Sequence, residues 1–174
     1  MQLVFEFCAS DARSAVGAVS RVLGDAEYTL QYGRAERGTR IDAVVESATS
    51  KLESGEIDSL VVYPKSGAIR YAMVLAPTAA DEPRPFYMGT IEYTAGDYQW
   101  LWELLLSAPS LSIVCVGFEE GVELRQGHLD VSTFPWHQWP LAIGAVRDRE
   151  SSAPDAWVVK PGPEMRWLEG CAPK

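Results

Sequence analysis

Residues 59–75 read SLVVYPKSGAIRYAMVL, from Ser59 to Leu75. Two β-rich arms flank the turn-forming run Pro64-Lys65-Ser66-Gly67, which is the pattern of a β-hairpin. The first arm runs from Ser59 to Tyr63. The second, from Ala68 to Leu75, alternates so that Ile69, Tyr71, Met73 and Leu75 share one face. A hairpin in the middle of the chain requires antiparallel pairing, and this decides the fold class.

Working outward, residues 86–94 form a further strand with Tyr87, Ile91 and Tyr93 on one side. A helix from about Gly96 to Ser107 follows. It is apolar almost all round, with Tyr98, Trp100, Leu101, Trp102, Leu104, Leu105 and Leu106, and only Gly96, Gln99, Glu103 and Ser107 make a narrow polar stripe. Such a helix is expected at the centre of the packing, with Trp102 in the core and Trp100 or Leu101 behaving similarly. Pro109 stops it, and Leu111 to Phe118 is nearly continuous apolar sequence, as in a strand buried on both faces.

Towards the N-terminus, residues 2–8 alternate with Leu3, Phe5 and Phe7 on one face. Ser10 is then placed to cap a helix whose apolar positions are Ala12, Ala15, Val16, Val19, Val22 and Leu23, with Gly24 as its stop. Residues 27–32 make a weaker strand. Thr39, with Asp42 three residues on, opens a second helix with the stripe Ile41, Val44, Val45, Ala48 and Leu52, and Gly55 ends it. Beyond Phe118 come a turn at Glu119-Glu120-Gly121 and a half-exposed strand pair or edge over 122–132. Phe134 to Pro140 follows, where two prolines forbid a central strand. Short apolar runs at 141–146, 157–160 and 165–168 complete a helix-poor tail. The pattern predicts one α+β domain over residues 1–174, with a mainly antiparallel, mixed sheet and about three helices packed against it.

Composition narrows the function. The 174 residues carry 24 acidic and 15 basic side chains, a formal net charge of −9. Arg34, Arg37 and Arg40 form the densest basic group, but Glu36 and Asp42 interrupt them. No nucleic acid is therefore expected as a direct ligand, whereas a basic protein partner suits the charge. The N-terminal Met-Gln-Leu-Val-Phe-Glu-Phe-Cys lacks a basic leader region and the chain turns polar beyond Cys8. No apolar run approaches a membrane span, so the expected compartment is the cytoplasm, with no membrane partner. The three cysteines, Cys8, Cys115 and Cys171, form no paired framework, and Cys8 and Cys115 read as buried, reduced thiols.

The chemistry-bearing motifs are missing. There is no GxxxxGK[ST], no GxGxxG and no GxSxG, and the only histidines are His128 and His137. His128 and Asp130 would share one face of a strand near Glu119, Glu120 and Glu123. With one histidine at hand, solvent-facing residues are the simpler reading, so neither metal nor cofactor is expected. What remains is charge asymmetry. Between Glu92 and Asp130 lie seven acidic residues, Glu92, Asp97, Glu103, Glu119, Glu120, Glu123 and Asp130, against one basic residue, Arg125, a net −6. The candidate partner-binding residues are Glu119, Glu120 and Glu123, with the aromatic anchors Trp136 and Trp139 beside them. A spread of surface charge, and a loop pinned to the core by its aromatics, are the plainer alternatives.

The pair Trp102-Glu103 in the helix 98–106, in an acidic, tryptophan-rich chain, resembles bacterial immunity proteins encoded beside polymorphic or type VI secreted toxins. One such family that the pair resembles is the partners of restriction-endonuclease-like toxins. The resemblance implies neutralisation of a secreted toxin effector by direct occlusion, without a cofactor. The excess of Arg over Lys suits a bacterium with a GC-rich genome. Two other classes stay open on the sequence: an enzyme with a non-motif active site, and a small-ligand-binding or assembly domain.

Overall fold

The strand Leu3–Ala9 (β1) is the axis of the molecule. It pairs antiparallel with Tyr87–Tyr93 (β6) on one side and with Leu111–Phe118 (β7) on the other. The computed structural model describes residues 2–24, 28–32, 34–37, 45–77, 86–94, 97–118, 143–147 and 157–161. Among these residues the remaining strands are Tyr28–Tyr32 (β2), Arg34–Arg37 (β3), Ser59–Pro64 (β4), Ile69–Leu75 (β5), Ile143–Arg147 (β8) and Trp157–Pro161 (β9). They join one sheet in the order β3-β2-β4-β5-β6-β1-β7-β8-β9, and every described pair is antiparallel. Among the described residues three helices, Ala12–Leu23 (α1), Val45–Glu53 (α2) and Gln99–Leu106 (α3), accompany it, and the chain has an α+β fold.

The helices pack on one face. Alternation along β1 sends Leu3, Phe5, Phe7 and Ala9 into a single core with the buried side of α1, with Ala48 and Leu52 of α2, and with Leu101, Trp102 and Leu105 of α3. The strand β7 is buried on both faces, as its unbroken apolar run implies. Gly89 of β6 lies opposite Phe7 of β1, and a Cβ there would stand 1.9 Å from the Phe7 ring, so this position admits no side chain without moving the ring.

Several local features differ from the sequence reading. The cap of α1 is Asp11 and not Ser10. The Asp11 carboxylate accepts from the Ser14 backbone N–H at 2.8 Å, because Asp11 is the residue with extended backbone just before the first helical turn. Gly24 ends the helix as expected, at φ +56°. Strand β3 was not anticipated; Arg-Ala-Glu-Arg carries no apolar alternation. The capping box at Thr39 and Asp42 lies outside the described residues.

The face expected along β5 breaks at Arg70. Ile69 pairs with Tyr93 and Tyr71 with Glu92, so Arg70 is an extra residue, a β-bulge that shifts the alternation. Ile69 therefore packs against the helix-side core, while Tyr71 lies on the opposite face. Downstream, the core-facing residues of β5 are the smaller Ala72 and Val74, and Met73 and Leu75 are half-buried on the other side.

The end of α3 is fastened by the last two strands. Trp157 donates its indole N–H to the Leu106 carbonyl at 2.8 Å. Arg147 donates to the Ala108 and Leu111 carbonyls at 3.1 and 3.2 Å, with its guanidinium 4.5 Å from the Trp157 ring centroid. The Trp157 bond satisfies a carbonyl that α3 leaves open at its C-terminus, and the Arg147 bonds hold the turn that leads from α3 into β7.

Candidate functional site

Helix α3 presents a ridge to solvent. Residues two apart on a helix point in nearly opposite directions, so the two tryptophans separate. Trp102 is 0% exposed and Trp100 is 42% exposed. Trp100 thus departs from the expectation of a core residue; the apolar circumference of this helix concealed which side faces out. Leu101 and Trp102 are buried as expected, and Glu103 lies on the exposed side.

Trp100 is exposed but held. Its indole N–H donates to the Tyr93 hydroxyl at 3.0 Å, and its ring meets the Tyr93 ring edge-on at 5.9 Å. The Tyr93 hydroxyl donates in turn to the Asp97 carbonyl, which ties β6 to the start of α3. Tyr93 contacts Phe5 of the central strand, also edge-on, at 6.3 Å, and Phe5 contacts Tyr98 at 5.9 Å. The exposed indole is thereby anchored through an aromatic relay to the core. Its one polar atom is already engaged, so what it offers outward is hydrocarbon. A rigid aromatic surface of this kind binds at low entropic cost.

Beside Trp100 is a cavity of about 190 Å³ lined by Leu23, Pro64, Ser66, Gly67, Ala68, Ile69 and Trp100. The end of α1, the hairpin turn and the start of α3 make its walls. Gly67, at φ +100°, allows the turn to bend there. The volume lies below the roughly 300–1,000 Å³ of small-molecule sites and fits one inserted side chain.

Two carboxylates flank Trp100 at three residues on either side. Asp97 accepts from the Gln99 backbone N–H at 3.1 Å, and Glu103 from the Gln99 side-chain amide at 2.9 Å. Both are exposed, and neither is in an ion pair with a described cation. These are two of the acidic residues in the −6 stretch. The third described member, Glu92, is on the opposite face of the sheet, where Arg70 meets it at 3.2 Å and the Gln2 side chain donates to it.

That opposite face carries its own polar row. Glu6 of β1 is 4% exposed, and Thr90 of β6 and Cys115 of β7 are its cross-strand neighbours. Nothing in the alternation of residues 2–8 marks Glu6 as buried. Burial, with Glu6 and Cys8 nearby, pushes the Cys115 thiol well above its usual range. Burial also raises the Tyr71 phenol, helped by Glu92 and Glu6. Cys8 and Cys115 are buried and form no disulfide among the described residues, as the sequence implies. This row already has internal contacts, including the Arg70–Glu92 pair and the Tyr63–Tyr71 ring contact at 6.4 Å. The α3 ridge, by contrast, directs its aromatic ring and carboxylates to solvent.

The sequence candidates Glu119, Glu120, Glu123, Trp136 and Trp139 lie outside the described residues, as do His128 and Asp130. Among the described residues no group of three or more His, Cys, Asp or Glu is placed to hold a metal ion, and no helix is long and apolar enough to cross a membrane. Comparison with protein-family models, curated proteins and solved structures finds no match to this chain.

Proposed function

We propose that the chain is an inhibitor-type binding protein, an immunity protein that acts in a bacterial cytoplasm by occluding a basic toxin effector. The observation that carries this reading is Trp100, exposed yet fixed by Tyr93 beside a cavity of side-chain size. Aromatics held in this way are the usual anchors of protein interfaces. The net charge of −9 supports a cationic partner, since opposite charges steer encounter. Glu119, Glu120 and Glu123, with Trp136 and Trp139, enter this reading as further contacts expected from the sequence.

The test is co-expression with the product of the adjacent gene. The proposal predicts that this product kills the host alone, that the chain restores growth, and that the two co-purify in a fixed ratio. Rescue by catalytic amounts of the chain, with the toxin chemically altered, would replace binding by enzymatic action. Absence of killing, or killing unaffected by the chain, would refute the immunity reading.

A further inference from the structure

We infer that the α3 ridge docks a basic polypeptide segment, which inserts one aliphatic or aromatic side chain beside Trp100 and sets Lys or Arg against Asp97 and Glu103. The inference rests on the binding reading above and names the surface and the chemistry of its occupant. Three observations meet at one place. The cavity of about 190 Å³ has mostly apolar walls, supplied by Leu23, Pro64, Ala68, Ile69 and Trp100, so its occupant is apolar and no larger than a side chain. The Trp100 indole has its N–H turned to Tyr93 and exposes only ring surface, so it contributes packing and no competing polar demand. Asp97, exposed just before α3, and Glu103, on the exposed side of α3, lie three residues to either side of Trp100, and neither is in an ion pair with a described cation.

The complementarity has a direction. The carboxylates that flank Trp100 in sequence belong to α3 and the residues just before it, so the occupant's cations belong on the α3 side of the inserted residue. A lone apolar side chain would bind weakly, and lone cations would be screened by salt. The two together account for a fixed aromatic and two exposed carboxylates on one ridge.

The experiment titrates the full, isotope-labelled chain with three acetylated and amidated peptides followed by NMR: Lys-Arg-Leu-Arg-Lys, Lys-Arg-Gly-Arg-Lys and Glu-Glu-Leu-Glu-Glu. The basic leucine peptide is expected to shift the Trp100 indole N–H and the amides of residues 66–69 saturably. The glycine peptide should bind about tenfold more weakly or less, which is the worth of one buried leucine, and the acidic peptide should not bind. Asp97→Asn with Glu103→Gln keeps the acceptors of both hydrogen bonds and should weaken the leucine peptide severalfold. Ala68→Leu narrows the cavity without touching Trp100 and should abolish the leucine preference; unchanged α3 amide signals check its fold. Equal binding of the leucine and glycine peptides, saturable shifts confined to another face, or no saturable shift at all would each overturn the docking site. Binding of the adjacent-gene product, measured separately, decides the function reading, so the two can fail independently.

Discussion

Replacing Trp102 with alanine probes the helix on which both the fold and the proposed site depend. Its side chain is 0% exposed, in contact with the core that β1, α1 and α3 share. A buried tryptophan withdraws about 150–250 Å² from water. At about 25 cal/mol/Å² that is roughly 4–6 kcal/mol as an upper bound, of which alanine keeps about 1. The cavity left behind adds to the loss, so Trp102→Ala should cost about 3–5 kcal/mol. One further feature sharpens the test. The Trp102 indole N–H is buried with no acceptor among the described residues, a penalty of roughly 1–3 kcal/mol in the wild type. Trp102→Phe removes that orphan donor while keeping most of the ring, and should cost less than half of what alanine costs. Trp100→Ala uncovers a side chain already 42% exposed and gives up one hydrogen bond, so about 2 kcal/mol is expected. Urea unfolding followed by circular dichroism, with equal slopes for all variants, measures each value. A Trp102→Ala loss below about 1 kcal/mol, the surface range, would refute this placement of α3. A phenylalanine variant as damaged as the alanine variant would refute the orphan-donor argument.

Other expected outcomes are local. Gly89→Ala forces the Phe7 ring aside and should lower the unfolding free energy by about 1–3 kcal/mol, whereas Gly17→Ala, in open space, should not destabilise. Asp11→Ala should cost about 0.5–2 kcal/mol as a lost helix cap. The Ser14 N–H holds the Asp11 carboxyl below its ordinary value, so its contribution is present above about pH 4 and fades as pH falls through the lowered pKa; pH-dependent unfolding of the wild type should show this loss and the variant should lack it. Cys115, buried and with its thiol pushed upward, should resist iodoacetamide at pH 8 in the folded chain and react once denatured, as peptide mass mapping would show. Changing Glu119, Glu120 and Glu123 together to glutamine should slow association with a basic partner more than it speeds dissociation, if they lie at the rim; unchanged rates in stopped-flow binding would remove them from the interface.

How far the sequence reaches can be followed residue by residue. The apolar positions Ala12 to Leu23 named α1 and its buried side correctly, because amphipathic spacing and burial there are the same fact. The unbroken run from Leu111 foretold a strand buried on both faces. The hairpin at 59–75 was legible as an element, but its facing was not: the bulge at Arg70 leaves no trace in the alternation, and it reverses Ile69 relative to Tyr71. Strand β3 has no apolar periodicity to read, and at the end of the described sheet order it pairs with β2 alone. Glu6 stands between Phe5 and Phe7 in an alternating strand, and its burial depends on packing that local sequence does not encode. The candidate site was legible only as charge. Asp97 and Glu103 belonged to the acidic stretch, but a helix apolar on nearly every side does not declare which tryptophan faces solvent. The fixing of Trp100 by Tyr93 joins two elements and required the fold.

The most direct test of the binding account is the affinity of the purified chain for the adjacent-gene product, measured by calorimetry for wild type and Trp100→Ala at two salt concentrations. The account predicts a stoichiometric complex that weakens as salt rises, and a loss of at least about 2 kcal/mol, roughly thirtyfold, for the folded Trp100→Ala variant. An unchanged affinity in that variant, with α3 intact, would contradict it.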